Sequence, residues 1–172
     1  MMQQFATVVL DFVKEHAALA PFVVGVLAFG ESLAFISLLV PGTLVLVGGG
    51  GIISAAGIGF WPVWSAAAIG AVLGDWVSYW LGYHYKEAII RAWPLSAYPG
   101  LLSRGQRFFD KWGWAGVVLG RFFGPLRCIM PLVAGICSMH FIAFQCANVV
   151  SAVLWATAVL APGHFAVGWL LD

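Results

Sequence analysis

Arg121-Phe122-Phe123-Gly124-Pro125-Leu126-Arg127 sets two arginines on either side of a helix break in a long uncharged region. Trp112–Gly120 before it and Cys128–Leu171 after it contain no Asp, Glu, Lys or Arg. An arginine at the centre of a membrane costs about 2.5–3.5 kcal/mol on insertion scales, and a Gly-Pro step interrupts a regular helix. Irregular backbone is tolerated at membrane depth only where protein or a water-filled cavity covers it. The stretch therefore predicts a polar cleft inside the membrane, lined by cations. The alternative is that both arginines lie at the membrane surface and extend to lipid head groups.

The composition is that of an integral membrane protein. Of 172 residues, 62% are hydrophobic and 9% are charged, whereas soluble domains contain about 25% charged residues. The mean hydropathy is +0.97, and the net charge of +1 gives no basic surface for nucleic acid. Two charge-free windows, Ser32–Gly74 and Cys128–Leu171, each exceed 40 residues. One helical crossing needs about 20 residues, so each window must hold a crossing and a further segment.

The first half, about residues 17–85, contains one carboxylate and one helix break in apolar sequence. Glu31 precedes the break Pro41-Gly42-Thr43 by ten residues. An ionisable residue in such a setting is functional by default. The alternatives for Glu31 are an interfacial helix cap and an ion pair that merely holds the helices together.

Residues Val63 to Tyr83 give the clearest transmembrane helix. Small residues recur at every fourth position and would allow close approach of another helix: Ala66, Gly70, Gly74, Ser78 and Gly82. Asp75 lies beside this stripe and should face protein or water. Aromatic residues fill the later half, as in an interfacial belt: Trp76, Tyr79, Trp80, Tyr83 and Tyr85.

Residues 86–111 form the strongly charged segment, with five basic and two acidic residues. The positive-inside rule places this connector in the cytoplasm. Arg104, Arg107 and Lys111 alternate with aromatic residues at helical spacing, which predicts a short amphipathic helix on an anionic membrane surface.

The second half covers about residues 112–171. Met130-Pro131 and Gly135 predict that residues 126–137 are short and irregular. Residues 141–171 predict a final span, interrupted at Pro162-Gly163. Its polar residues Asn148, Ser151 and Thr157 are expected to bond to neighbouring helices.

A weak internal repeat relates the two halves. An offset of 81 residues pairs Phe60 with Phe141 and Gly82 with Gly163, and both halves run from a charged residue through a Pro/Gly break to a long span. Duplicated halves with interrupted helices are how many transporters build a site at the middle of the membrane.

Assembled, these motifs resemble the DedA family of bacterial inner-membrane proteins, which share a domain with eukaryotic lipid scramblases. The resemblance covers about residues 28–157. It is carried by Gly30-Glu31-Ser32, Leu39-Val40-Pro41-Gly42-Thr43, Gly74-Asp75-Trp76-Val77-Ser78-Tyr79-Trp80-Leu81-Gly82, Gly120–Arg127 and Pro131-Leu132-Val133-Ala134-Gly135.

The resemblance implies an all-α membrane domain with two opposed re-entrant helical hairpins in a pseudo-inverted repeat, packed among transmembrane helices. Their tips would lie at Pro41, Gly42 and Thr43 and at Gly124 and Pro125. It also implies recycling of undecaprenyl phosphate across the inner membrane, with a link to the proton motive force. The family's important residues map onto Glu31, Arg121 and Arg127. Several members have an acidic residue at the position of Thr43, so Asp75 would have to supply any second carboxylate.

The leading functional hypothesis is a transporter of a lipid phosphate, without enzymatic activity, metal or other cofactor. Arg121 and Arg127 would bind the phosphate, and protonation of Glu31 would release an arginine for it. A proton- or cation-coupled carrier of a soluble anion suits the same residues. A lipid phosphatase or protease is less favoured, because the chain has no G-x-S-x-G or H-E-x-x-H motif. Expected partners are the lipid phosphate and membrane lipids, without nucleic acid; a homo-oligomer is left open.

Overall fold

The computed structural model describes residues 17–33, 57–91, 100–122 and 126–171. Over these ranges every regular element is helical, as the sequence predicts. A 3₁₀ turn at Ala17–Leu19 leads into α1, and five further helices follow. Their bounds are α1 Ala20–Ser32, α2 Phe60–His84, α3 Lys86–Arg91, α4 Gly100–Phe122, α5 Leu126–Ile136 and α6 Phe141–Leu171.

Helix α2 is the centre of the arrangement and packs against α1, α5 and α6. The stripe of small residues explains how α2 can pack closely against its neighbours. A Cβ added at Gly70 would overlap the carbonyl oxygen of Gly25 in α1, and one added at Gly82 would overlap that of Leu132 in α5. The first half of the stripe therefore receives α1 and the later half receives α5. Close approach along the stripe is confirmed, and it serves two helices rather than one.

Helix α4 changes direction at Gly113, whose φ of 51° and ψ of −129° are not helical. A positive φ of this kind suits glycine because it has no Cβ. The kink separates the charged part, which contains Arg107 and Lys111, from the apolar part that ends at Phe122. The kink lies two residues after Lys111, the last residue of the predicted connector. Helix α4 contacts both α5 and α6.

Residues 126–137 are not irregular, which corrects the sequence-based expectation. Leu126–Ile136 is an 11-residue helix with Pro131 inside it. Pro131 has no N–H to donate to the carbonyl of Arg127, four residues earlier. The helix is nevertheless retained because Gly135 packs directly on the backbone of Tyr79 in α2. Tertiary packing outweighs the local effect of the proline.

The last span is also more continuous than predicted, because α6 remains helical through Pro162 to Leu171. Within the described ranges, one segment is both long and apolar enough to cross a membrane, Phe141–Gly163. Helix α2 has 25 residues and a length of about 37 Å at 1.5 Å per residue, but its glycines, serines and aromatic residues lower its hydropathy.

The outer surface of the helices is strongly apolar. Phe22 in α1, Trp61 in α2 and Ile142 in α6 are 70%, 71% and 64% exposed. Many large apolar side chains of the described helices are exposed in this way, which suits contact with lipid chains. Burial of polar groups inside the bundle completes the pattern of a membrane protein.

The internal repeat and the hairpins are tested only in part. The two long helices α2 and α6 begin at Phe60 and Phe141, the residues that the offset of 81 pairs. The predicted tips, at Pro41, Gly42 and Thr43 and at Gly124 and Pro125, lie outside the described residues. The re-entrant hairpins and their inverted relationship therefore stay predictions.

Candidate functional site: a buried cluster of two ion pairs

The first ion pair joins the end of α4 to the middle of α2. Arg121 donates through Nη1 to Oδ2 of Asp75, and both side chains are buried, at 7% and 5% exposed. Asp75 lies one residue after Gly74, where the backbone of Phe29 in α1 approaches α2 closely. The carboxylate is therefore held inside the bundle, as its place beside the small-residue stripe predicts.

Helix α6 supplies two further acceptors to Arg121. Its Nη1 lies 3.4 Å from Oδ1 of Asn148 and 3.3 Å from Oγ of Ser151. Asn148 is itself fixed, because its Nδ2 donates to the carbonyl of Val72 in α2 at 3.0 Å. The Ser151 hydroxyl donates to the carbonyl of Asn148, also at 3.0 Å. Acceptors on both α2 and α6 therefore fix the position of Arg121.

The second ion pair joins the start of α5 to the end of α1. Nη2 of Arg127 contacts Oε1 of Glu31, with side-chain exposures of 11% and 3%. The end of α1 is tied to α2 by a hydrogen bond from the Ser78 hydroxyl to the carbonyl of Ser32, 3.3 Å long. Glu31 and Arg127 are 96 residues apart in the sequence and meet only because α1 and α5 pack on the same stripe of α2.

Both guanidiniums lie against one aromatic ring. The Cζ atoms of Arg121 and Arg127 are 5.7 Å and 5.2 Å from the ring centroid of Trp155. Trp155 is buried in α6, one turn after Ser151. A tryptophan face attracts cations within about 6 Å, so this ring stabilises both arginines.

The cluster is compact and electrically balanced. Two guanidiniums carry +2 and the two carboxylates carry −2, so the ion pairs sum to zero. The space among Ser32, Asp75, Arg121, Arg127 and Trp155 has no room for a water molecule. Among the described residues the two arginines are neutralised by carboxylates rather than left as free cations. The breaks at which the wet cleft is predicted lie outside the described residues, so the cleft stays a prediction. The alternative of arginines extended to head groups does not match the structure, because Arg121 is buried and Arg127, 11% exposed, is paired with Glu31 inside the bundle.

Residues 40–165 match the VTT domain model, which covers most of the chain and includes Asp75, both arginines and Trp155. Inner membrane protein YabI of Escherichia coli is 32% identical over 155 residues, which are 90% of this chain and 61% of that protein. The chain belongs to the DedA family of VTT-domain proteins.

Other DedA relatives are named only as membrane proteins. An uncharacterized membrane protein of Buchnera aphidicola is 32% identical over 153 residues, covering 89% of this chain and 60% of the relative. An uncharacterized membrane protein of Mycobacterium tuberculosis is 34% identical over 150 residues, covering 84% of this chain and 67% of the relative. The chain spans about three fifths of the length of the first two. No solved structure matches it. Membership and these names establish a membrane protein, as the sequence predicts.

The structure brings all four predicted charged residues of this DedA protein together: Glu31, Asp75, Arg121 and Arg127. Their roles in phosphate binding and proton coupling stay predictions. Sequence reasoning missed the contribution of α6. Asn148 and Ser151 were expected to bond to other helices, but their link to Arg121 and the position of Trp155 were not foreseen. The spacing of positions 148, 151 and 155 on one helix face was the available signal.

Proposed function

We propose that this DedA protein carries a polyprenyl phosphate lipid, undecaprenyl phosphate in a bacterial inner membrane, from one side of the membrane to the other. The observation that supports this most is the meeting of two buried guanidiniums on the ring of Trp155. A phosphate head group is an anion that cannot cross hydrocarbon unaided, and arginine binds phosphate oxygens through paired, charge-assisted hydrogen bonds.

The carboxylates make the proposed binding an exchange of anions. Each guanidinium already has a carboxylate partner, so phosphate must displace one of them. Breaking a buried ion pair without replacement costs about 3–5 kcal/mol, which keeps the site closed until phosphate arrives. Protonation of the displaced carboxylate would remove the competing anion, and this is how proton uptake would favour lipid binding.

The helices that carry the two pairs differ in how closely they pack, and this supports a choice of the pair that opens. Arg121 has acceptors on Asp75, Asn148 and Ser151. Arg127 is paired with Glu31 across α1 and α5, which contact each other much less than either contacts α2. We therefore assign Arg127 as the arginine that exchanges partners and Glu31 as the carboxylate that leaves.

The remaining parts of the proposal concern topology. The chain would cross the inner membrane several times, with residues 86–111 on the cytoplasmic side. The helix breaks predicted from the sequence at Pro41–Thr43 and at Gly124-Pro125 would give the lipid head group access to the cluster. No covalent step is proposed, so phosphate release from the lipid should not occur.

Reconstitution in liposomes tests this function. Wild-type protein should move a fluorescent polyprenyl phosphate between leaflets, whereas Arg127→Ala should reduce the rate at least tenfold at equal protein density. Arg91→Ala is the matched control, because Arg91 is an exposed arginine outside the cluster. Wild-type rates in Arg127→Ala would reject the proposal.

The same vesicles discriminate the second hypothesis. An excess of a soluble phosphate or carboxylate anion should leave lipid movement unchanged if the lipid is the substrate. Displacement of bound lipid by the soluble anion, together with its uptake into the vesicle, would instead favour a carrier of small anions.

A further inference from the structure

A second concave region lies away from the ion pairs, at the end of α2. It is an open cavity of about 460 Å³ between the later half of α2 and the turn that leads into α6. Trp76, Trp80 and His84 line one wall at four-residue spacing, and Ser138 and His140 line the other. We call these five residues the aromatic groove. None of them belongs to the cluster described above.

The rim of the groove carries one ammonium group and two imidazoles. Nζ of Lys86 donates to Oγ of Ser138 over 3.5 Å, and the imidazoles of His84 and His140 stand on the two walls. His140 also precedes the first turn of α6, whose unpaired N–H groups add positive potential. The described residues that line the groove include no carboxylate, and the nearby Glu87 is paired with Arg91 at 3.6 Å.

Ser138 has a backbone conformation that is unusual for serine. Its φ of 56° lies in the left-handed region, where glycine is favoured over any residue with a Cβ. The turn is a helix end in which the N–H groups of Ser138 and Met139 bond to the carbonyls of Gly135 and Ala134. A serine in this conformation is disfavoured for the turn itself, and its hydroxyl contacts Lys86 at the groove.

The walls are those of a lipid site at the membrane surface. Trp76 and Trp80 are 41% and 44% exposed, and tryptophan is enriched where hydrocarbon meets head groups. His84 stacks near Trp80, with ring centroids 4.6 Å apart, and this fixes the imidazole at the edge of the apolar wall. Contact with the apolar indole surface would not contribute to the binding of a soluble anion.

We propose that the aromatic groove binds one anionic phospholipid that is resident rather than transported. Its phosphate would lie among Lys86, Ser138 and His140, and an acyl chain would lie along Trp76 and Trp80. The proposal is independent of lipid transport by the ion-pair cluster, because the groove shares no residue with it.

Native mass spectrometry of the purified full chain tests this proposal. The probes are phosphatidylglycerol and phosphatidylcholine with identical acyl chains, added separately and in competition. Wild-type protein should retain phosphatidylglycerol about fivefold over phosphatidylcholine, the factor expected for one basic residue near an anionic head group. The Lys86→Gln/His140→Gln variant should show no preference. The Glu87→Gln/Arg91→Gln variant, which removes an exposed ion pair that does not line the groove, should behave as wild type.

Two further variants distinguish loss of lipid binding from misfolding and from loss of transport. Ser138→Gly should weaken the preference while leaving the melting temperature equal or higher, so misfolding would not explain the loss. Arg127→Ala should retain the preference, which separates this site from the proposed transport. An unchanged preference in Lys86→Gln/His140→Gln would overturn the proposal. So would an equal loss in Glu87→Gln/Arg91→Gln, or displacement of the lipid by millimolar inorganic phosphate.

Discussion

The Cζ atom of Arg127 lies 5.2 Å from the ring centre of Trp155, a residue of α6 that also faces Arg121. One indole therefore contacts two cations that are six positions apart in the sequence, one near the end of α4 and one near the start of α5. In a low-dielectric interior such contacts contribute about 0.5–2 kcal/mol each. Trp155 is consequently the residue through which a change at one arginine would affect the other.

Replacement of this ring tests that relationship. Trp155→Leu keeps an apolar side chain but removes the π face, and we expect about a tenfold loss of affinity for a polyprenyl phosphate, in line with one or two cation–π contacts. Trp61→Leu is the control, since Trp61 is 71% exposed and distant from the cluster in α2. Binding is measured by microscale thermophoresis in detergent, and equal affinities for the two variants would contradict the prediction.

The Arg121–Asp75 pair should be structural as well as electrostatic. Asp75→Asn and Arg121→Gln each leave a buried charge without its partner, which destabilises by about 3–5 kcal/mol. The double variant should be more stable than the sum of the single effects predicts, because it removes both charges.

The measurement is a double-mutant cycle on the free energy of unfolding in mixed micelles. Glu87→Gln and Arg91→Gln serve as the reference cycle, because that pair is 80% and 83% exposed and exposed pairs contribute little. Strict additivity at positions 75 and 121 would show that the buried contact is not coupled.

Glu31→Gln should have opposite effects on stability and on ligand binding. Removing the negative charge leaves Arg127 without its anionic partner, so the unliganded protein should melt at a lower temperature. The freed guanidinium should bind a lipid phosphate about tenfold more tightly, since the competing carboxylate is gone, and the dependence of binding on pH should weaken.

Thermal shift with and without the lipid phosphate measures both effects. Glu87→Gln is the matched carboxylate control on the exposed face of α3. Weaker lipid binding by Glu31→Gln would show that the carboxylate helps to hold the phosphate rather than competing with it.

Adding a methyl group to the stripe should weaken the packing of α1 against α2 and destabilise the protein. Gly70→Ala places a Cβ on the carbonyl oxygen of Gly25, and we expect a loss of about 1–3 kcal/mol, typical of overpacking. At Gly59 the nearest atom to an added Cβ is Cδ of Pro62 at 3.6 Å, an ordinary contact. Gly59→Ala should therefore leave the melting temperature in detergent unchanged, and a similar shift in both variants would count against the close-packing account.

Sequence alone determined the features that depend on local composition and spacing. Long charge-free windows require a membrane protein, a small residue at every fourth position requires close helix packing, and both are found. The same reasoning failed at Pro131, because the local cost of a proline is outweighed by packing of α5 on α2. It also identified Glu31, Asp75, Arg121 and Arg127 as costly residues that needed partners.

Only the tertiary structure decided which partners they have. Either carboxylate could have balanced either arginine, because opposite charges attract whatever their order in the chain. The packing of α1 and α5 along one stripe of α2 places Glu31 beside Arg127, while the end of α4 brings Arg121 to Asp75, 46 residues away. Trp155 joined the cluster for the same reason, since the contact of a ring with two cations is a property of helix positions in space.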